Sequence, residues 1–498
     1  MIISKSLALP FLLAVVFGLG ILTLPALPYS GDPYAWREEA RSIVLHGTLD
    51  VDPESATLGL PGEYFDLNPA DHKWYSKYGV LNGLLNAIPL LAEKLITGEL
   101  PPYNSQDRVL FLGVFFVLQA VLIAYVLFLI TGHYTQNLAV RMAYVMLAFY
   151  TTYLWNYLRA TNSEATQLLF FALTYLSFLC HEKLPQPIAE RSGKYIYLGW
   201  LALFALCLTK VSYFTFLPLF AALHICYAAR QGMLRSAWMK FIAQDLVLPM
   251  AVIVGIQAAI QKIKFGDPTN TGYFEIHQIP HAHTLWSATA DYIWGWQGSI
   301  FIHFPLLLLA LPGIRKFIRR HMHDTFFLLG ALIITYIMIA PAYGPWRGEW
   351  CYGPRYLVPF LPLLALPALY PLEWILNRPH TASRMAALLG ITLAGAFLFF
   401  VQMQVNRMDY FFRYRIEVKA SPGGEPLPQS IADYFEHTNF AKLNWDHLQT
   451  RGGHWENLPY YADMQTHLSP ENIKLWQQFV SAQVSRSNLY WFPEANAR

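Results

Sequence analysis

The residues able to do chemistry lie in polar segments between long apolar runs. Just past the first run stands Ser30-Gly31-Asp32-Pro33-Tyr34-Ala35-Trp36-Arg37-Glu38-Glu39. A carboxylate fixed at such a boundary can serve as a general base or hold a metal. The same residues also read as a helix start, with Asp32 as the cap, Pro33 in the first turn and acids following. Cap and base are compatible only if one carboxylate oxygen stays free.

Cations and aromatics recur at similar boundaries. Asp71-His72-Lys73-Trp74-Tyr75-Ser76-Lys77-Tyr78-Gly79 places Tyr75 and Lys77 just before an amphipathic stretch. They can meet a phosphate there, or form an ordinary aromatic and basic interface belt. Ala342-Tyr343-Gly344-Pro345-Trp346-Arg347-Gly348-Glu349-Trp350-Cys351-Tyr352-Gly353-Pro354-Arg355-Tyr356 combines glycines with a wall of aromatics suited to stacking on a sugar ring. Arg355 carries a planar donor fork that fits phosphate, and it is also well placed simply to snorkel. Lys210 interrupts a long apolar stretch, where it is either a functional cation or the charged turn of a helical hairpin. Glu164 is a second acid, equally readable as the acidic start of a helix. His277, His281 and His283 give a weak metal signal, because no Cys or carboxylate stands at ligand spacing.

The elements that must position these groups are set by composition. The 498 residues are 55% hydrophobic, 16% aromatic and only 13% charged, with a net charge of +3. A soluble globular chain carries about 25% charged residues. Disorder, a disulfide scaffold and nucleic-acid binding are excluded as the main character of the chain. An all-α polytopic membrane protein remains. A spanning helix needs roughly 20 mostly apolar residues. The candidates are Leu7–Leu27, Val109–Thr131, Leu138–Tyr157, Ala165–Cys180, Phe241–Ile260, Ser299–Gly313, Thr325–Ala340, Tyr356–Leu376 and Met385–Val401, with Tyr195–Ala229 divided into two short helices near Lys210. This predicts about eleven spans (11 to 13), with Leu7–Leu27 an anchor rather than a cleaved signal. In Leu81–Leu95 the apolar residues recur at helical spacing, with Asn82, Asn86, Pro89 and Glu93 opposite, so this helix is expected to lie in the interface.

Loop charge predicts the orientation. With Leu81–Leu95 not crossing, Lys183, Arg191 and Lys194, then Arg230, Arg235 and Lys240, then Arg315, Lys316, Arg319 and Arg320, and then Arg378 and Arg384 share one side with Lys5. The positive-inside rule makes that side cytoplasmic. The long polar segments then face outward, including the first outer loop, residues 28–107. The expected organisation is a membrane domain over 1–403 and an extracytoplasmic tail over 404–498. The tail is rich in aromatics, and Ser469-Pro470-Glu471 reads as a helix start within it. A multi-pass protein of the cell inner (plasma) membrane is expected, with a cytoplasmic N-terminus and a periplasmic tail.

Taken in order, Gly31-Asp32-Pro33-Tyr34, Tyr75-Ser76-Lys77-Tyr78-Gly79 with Pro89, Glu164, Phe265-Gly266-Asp267-Pro268 with Thr271-Gly272-Tyr273, and Trp346 through Tyr356 resemble the GT-C glycosyltransferases. The likeness is to the bacterial branch related to protein mannosyltransferases and lipid A aminoarabinose transferases, over Met1 to Val401. It implies a polyprenyl-phosphate-linked sugar as donor, a lipid, glycan or protein hydroxyl as acceptor, and inversion at the anomeric carbon on the outer face. In that scheme Asp32 is the base, and Lys77, Arg355 and Lys210 hold the donor phosphate. Tyr75, Tyr343, Trp346, Trp350 and Glu164 shape the sugar and acceptor pocket. Many members carry paired acids in the first loop; here Asp32 is followed by Pro33. A metal-independent reaction with no required cofactor is therefore the expectation, with a divalent ion as the alternative. The competing function classes are a transporter or flippase for lipid-linked sugars, which calls for inverted halves, and a polysaccharide polymerase or ligase.

Overall fold

The structure is a computed structural model that describes residues 5–25, 32–58, 64–100, 110–159, 162–182, 194–230, 235–272, 282–295, 298–339, 353–377, 381–407, 469–471 and 473–474. Within these, six helices are long and apolar enough to cross a membrane: Val80–Thr97, Leu110–Gly132, Ser163–Glu182, Val211–Ala229, Trp238–Phe265 and Ala382–Met403. Shorter apolar helices cover Leu7–Leu22, Leu138–Tyr150, Lys194–Thr209, Met322–Ile337 and Leu361–Asn377. The split expected near Lys210 is present. Helix Lys194–Thr209 ends, Lys210 is extended (φ −158°, ψ 127°), and a 3-10 turn, Val211–Thr215, leads into Phe216–Arg230.

Three expected continuous spans are interrupted. The stretch Ser299–Gly313 is broken into Ile300–His303, Leu306–Ala310 and a 3-10 turn, Leu311–Gly313, with Pro305 and Pro312 at the joints. Tyr356–Leu376 becomes Arg355–Leu357, Leu361–Leu364, Leu366–Ala368 and Leu369–Asn377, a run that contains Pro359, Pro362 and Pro367. Proline supplies no N–H and clashes with the preceding turn, so a helix cannot run unbroken through it without cost. Non-helical backbone at membrane depth is tolerated where protein covers it, and Leu357, Val358, Phe360, Leu361, Leu363, Ala365 and Leu366 are all at or below 2% exposure. Leu138–Tyr157 likewise divides into Leu138–Tyr150 and Leu154–Leu158.

The expectation of an all-helical chain needs one correction. In the first outer loop β1 (Asp50–Val51), β2 (Phe65–Leu67) and β3 (Trp74–Ser76) form an antiparallel sheet in the order β1-β3-β2. Asp66 pairs with Tyr75 and Val51 with Trp74. Strands of two or three residues are too short to show a period in the sequence. The sheet shares a small core with Tyr34 and Ala35 of helix Asp32–His46.

That helix packs extensively against Val80–Thr97. In Val80–Thr97 the polar edge is the buried one: Asn82 and Asn86 are 3% and 4% exposed, while Leu84, Ile88, Leu91 and Leu95 are 43% to 77% exposed. The amphipathic division is as expected, with the apolar stripe turned away from the protein. By length and hydropathy alone this helix could also cross. The membrane-facing bundle shares one large core, in which Phe171 stacks on Phe327 (5.7 Å, 10°) and meets Phe360 edge-on.

Candidate active site

Asp32 is the first residue of helix Asp32–His46. Its Oδ1 accepts a hydrogen bond from the Tyr78 hydroxyl at 2.6 Å, and its Oδ2 accepts one from Arg355 Nη2, also at 2.6 Å. Arg355 extends to a second acid, with Nε 2.9 Å from Glu164 Oε1. Asp32 and Arg355 side chains each keep 19% exposure, while Glu164 keeps 4%. One guanidinium thus bridges two carboxylates from distant parts of the chain. Burial pushes the Asp32 carboxyl up, but Arg355, the Tyr78 hydroxyl and the charge of Lys210 outweigh it, and the group is held below its ordinary 3.8.

Each member is delivered by a local device. Glu164 stands in the first turn of Ser163–Glu182. Arg355 follows Gly353, whose φ of +73° is accessible to glycine at little cost. A Cβ at Gly353 would come within 2.7 Å of the Tyr153 ring. The Tyr153 amide donates to the His303 carbonyl at 2.9 Å and its hydroxyl donates to the Pro354 carbonyl at 3.0 Å, so one buried tyrosine ties both broken segments to the Arg355 turn. Lys210 sits at the break between its two helices with Nζ 4.5 Å from the Tyr356 ring centre. Gly79 lets the end of the Tyr75–Tyr78 motif lie against the carbonyls of Leu208 and Thr209, and Asn82 Nδ2 donates to the Thr209 carbonyl at 3.2 Å. The turn bearing Lys210 is therefore packed directly onto the loop bearing Tyr78.

Beside Lys210 a small cavity of about 30 Å³ is lined by Gln167, Lys210, Ser212, Tyr213, Thr215, Phe216, Thr335 and Tyr356. Its wall is rich in hydroxyls, with Tyr213 donating to Gln167 Oε1 at 2.7 Å.

Asp32, Arg355, Glu164 and Lys210 are thus brought together. Lys77 is placed otherwise: its amide binds the Tyr64 carbonyl at 3.1 Å, and its side chain lies beside Gly272 and in the field of Asp66. Among the described contacts the motif reaches Asp32 through Tyr78. Tyr75 is a strand residue, 5% exposed, whose hydroxyl donates to Asp71 Oδ2 at 2.8 Å. Tyr343, Trp346 and Trp350 lie outside the described residues, as do His277 and His281 and the side chain of His283. Among the described residues no group of three His, Cys, Asp or Glu is placed to hold a metal. The two carboxylates of the site share the Arg355 guanidinium between them, and Arg355 and Lys210 are the groups there that can meet an incoming anion. Sequence reasoning missed the role of Tyr78, although it stands inside the motif; nothing in residue type marks it over Tyr75.

No protein-family profile matches the chain. No curated protein sequence matches it either. Solved structures do. The chain is similar to ArnT from Cupriavidus metallidurans bound to undecaprenyl phosphate, at 14% identity and a TM-score of 0.50, covering 78% of this chain and 63% of that one. It is also similar to the Archaeoglobus fulgidus oligosaccharyltransferase tethered with an acceptor peptide containing the NVT sequon, at 11% identity and a TM-score of 0.50, covering 81% of this chain and 55% of that one. The chain therefore spans less than two thirds of the length of either. The likeness is one of fold.

Proposed function

We propose that the chain is an inverting glycosyltransferase of the GT-C type, moving a sugar from a polyprenyl-phosphate carrier to a hydroxyl acceptor on the outer face of the cell membrane. The observation that carries this reading is Arg355 held between Asp32 and Glu164 next to Lys210, in a fold shared with ArnT, which has been seen bound to undecaprenyl phosphate.

The chemistry follows from charge. With both acids ionised and both bases protonated, the cluster is neutral before the donor arrives. The phosphate of the donor displaces Asp32 from Arg355 Nη2 and takes the guanidinium fork. Asp32 Oδ2 is thereby freed, while Tyr78 keeps hold of Oδ1 and aims the carboxylate. The acceptor oxygen attacks the anomeric carbon from the face opposite the phosphate and its proton passes to Asp32. The bond from anomeric carbon to phosphate oxygen breaks, and its electron pair leaves with the lipid phosphate. The second negative charge growing on that phosphate is met by Arg355 and Lys210, cations already in place. A single displacement inverts the centre. Trp346, Trp350 and Tyr343 supply stacking faces for the sugar. Glu164 borders the pocket, Lys77 and Tyr75 stand apart from the reacting groups, and no metal takes part. Helix Val80–Thr97 lies in the interface with its apolar stripe in lipid.

The test is direct. The full chain in nanodiscs is given a panel of undecaprenyl-phosphate-linked sugars, and released undecaprenyl phosphate is followed by mass spectrometry in the presence of an envelope extract as acceptor source. Release that is abolished by Asp32→Asn supports the reading. Binding of the lipid-linked sugar without release, or release unaffected by Asp32→Asn, overturns it, the first in favour of a carrier protein.

A further inference from the structure

Behind Asp32 lies a buried ion pair that the proposed chemistry does not use. Lys264 is in the last turn of helix Leu248–Phe265, which closes at Gly266 (φ 76°). A lysine there can simply complement the helix dipole. Lys264 instead runs inward: its side chain is 1% exposed, and Nζ donates to Glu39 Oε1 at 3.1 Å and to the Tyr78 carbonyl at 2.8 Å. Glu39 is fully buried, with Oε2 pressed against Gly83, where a Cβ would come within 2.5 Å. The same helix end is fastened by Asn68 Nδ2, which donates to the Ile263 carbonyl at 3.1 Å.

A buried ion pair is a weak device for stability, since an apolar pair of similar volume often does as well. What an apolar pair cannot do is hold a carbonyl oxygen. Here the carbonyl belongs to Tyr78, the residue whose hydroxyl grips Asp32. The ring between carbonyl and hydroxyl is braced on two sides, edge-on by Trp36 at 5.9 Å and in a stack by Tyr64 at 6.4 Å. With the backbone pinned and the ring unable to swing, the hydroxyl has one place to be.

We propose that Glu39 and Lys264 form a positioning clamp for Tyr78, and through the Tyr78 hydroxyl for the Asp32 carboxylate. Neither touches a reacting atom. The clamp rests on the reading of Asp32 as the proton acceptor, and it couples the outer end of a helix that is mostly exposed along its length to the reacting carboxylate.

The experiment reads Asp32 itself and needs no sugar donor. The full chain is labelled with a water-soluble carbodiimide, which attacks protonated carboxyls, and modification of Asp32 is quantified by mass spectrometry at about pH 7.5, where the Glu39–Lys264 pair is charged. Tyr78→Phe should speed Asp32 labelling about tenfold, the effect of a one-unit rise in its pKa. The apolar pair Glu39→Leu with Lys264→Met should speed it to a similar degree, and should add less than about twofold to Tyr78→Phe. Lys264→Met alone, leaving Glu39 to take up a proton, serves as the second variant should the pair fail to fold. A folded clamp variant with unchanged labelling overturns the proposal. So does a full further increase on top of Tyr78→Phe, which marks a direct charge effect or general loosening. Asp32→Asn in the transfer assay is run in parallel: retained transfer sinks the reading of Asp32 as the base, whereas the labelling result decides the clamp.

Discussion

Asp32 meets Arg355 and Tyr78 in the resting site, and this fixes what its substitution should do. Asp32→Asn keeps the shape but cannot take a proton, and it swaps one acceptor oxygen for a donor. Transfer should fall by at least about 100-fold, the usual weight of a general base, while the melting temperature moves little. Because Asp32 is held below 3.8, it is ionised throughout the neutral range. The acid limb of kcat/KM due to Asp32 should therefore lie below the ordinary aspartate value; a limb near pH 6 would assign the proton acceptor elsewhere. Arg355→Ala removes the bridge and leaves Asp32 and Glu164 facing each other without it. Undecaprenyl phosphate binding, followed by native mass spectrometry, should weaken by more than about tenfold, the loss of one charge-assisted contact. Glu39 behaves in the opposite sense to Asp32. Burial outweighs the pull of Lys264 and pushes it from 4.5 up to about 7. The folded state then binds its proton more tightly than the unfolded chain does. That contribution to stability is fully present below about pH 4.5, declines as pH rises, and is gone above about 7. The melting temperature of the wild type relative to Glu39→Gln should fall across that window and then level off.

At the scale of elements, the apolar runs were readable because a bilayer allows little besides helix. The hairpin break at Lys210 followed from a run too long for one crossing and too short for two ordinary ones. Where proline crowded a run, length still suggested one span, whereas the chain kinks and uses short helical pieces covered by neighbours. The sheet was invisible because its strands carry too few residues to alternate. The convergence of Asp32 with Arg355 joins positions 323 residues apart, and no local pattern encodes such a distance. Residue type and position at the ends of runs nevertheless singled out Asp32, Glu164, Lys210 and Arg355. Tyr78 and Lys264 escaped because a tyrosine near an interface and a lysine ending a helix have ordinary explanations. The turns themselves are testable. Gly353→Ala forces a Cβ toward Tyr153 at a positive φ, and should lower stability by about 1–3 kcal/mol in denaturant unfolding. Gly79→Ala should push the Lys210 turn away from the Tyr78 loop, lowering transfer more than it lowers the melting temperature.

At the scale of the molecule, the proposed orientation predicts two labelling outcomes in a background with Cys351→Ser. His72→Cys, in an exposed outer turn, should react with an impermeant maleimide on intact cells. Arg319→Cys, on the basic helix Ile314–Arg320, should react only after permeabilisation. The reverse pattern would invert the protein in the membrane. Helix Val80–Thr97 has a further consequence here. Its Asn82 grips the turn beside Lys210, while Leu84, Ile88, Leu91 and Leu95 are bare on the opposite side. Such a helix behaves like the hull of a boat, whose draught sets how high the deck rides. The Asp32 carboxylate should rise and sink with the surrounding lipid, so the proposed turnover should peak at one acyl-chain length and decline in thinner or thicker nanodiscs.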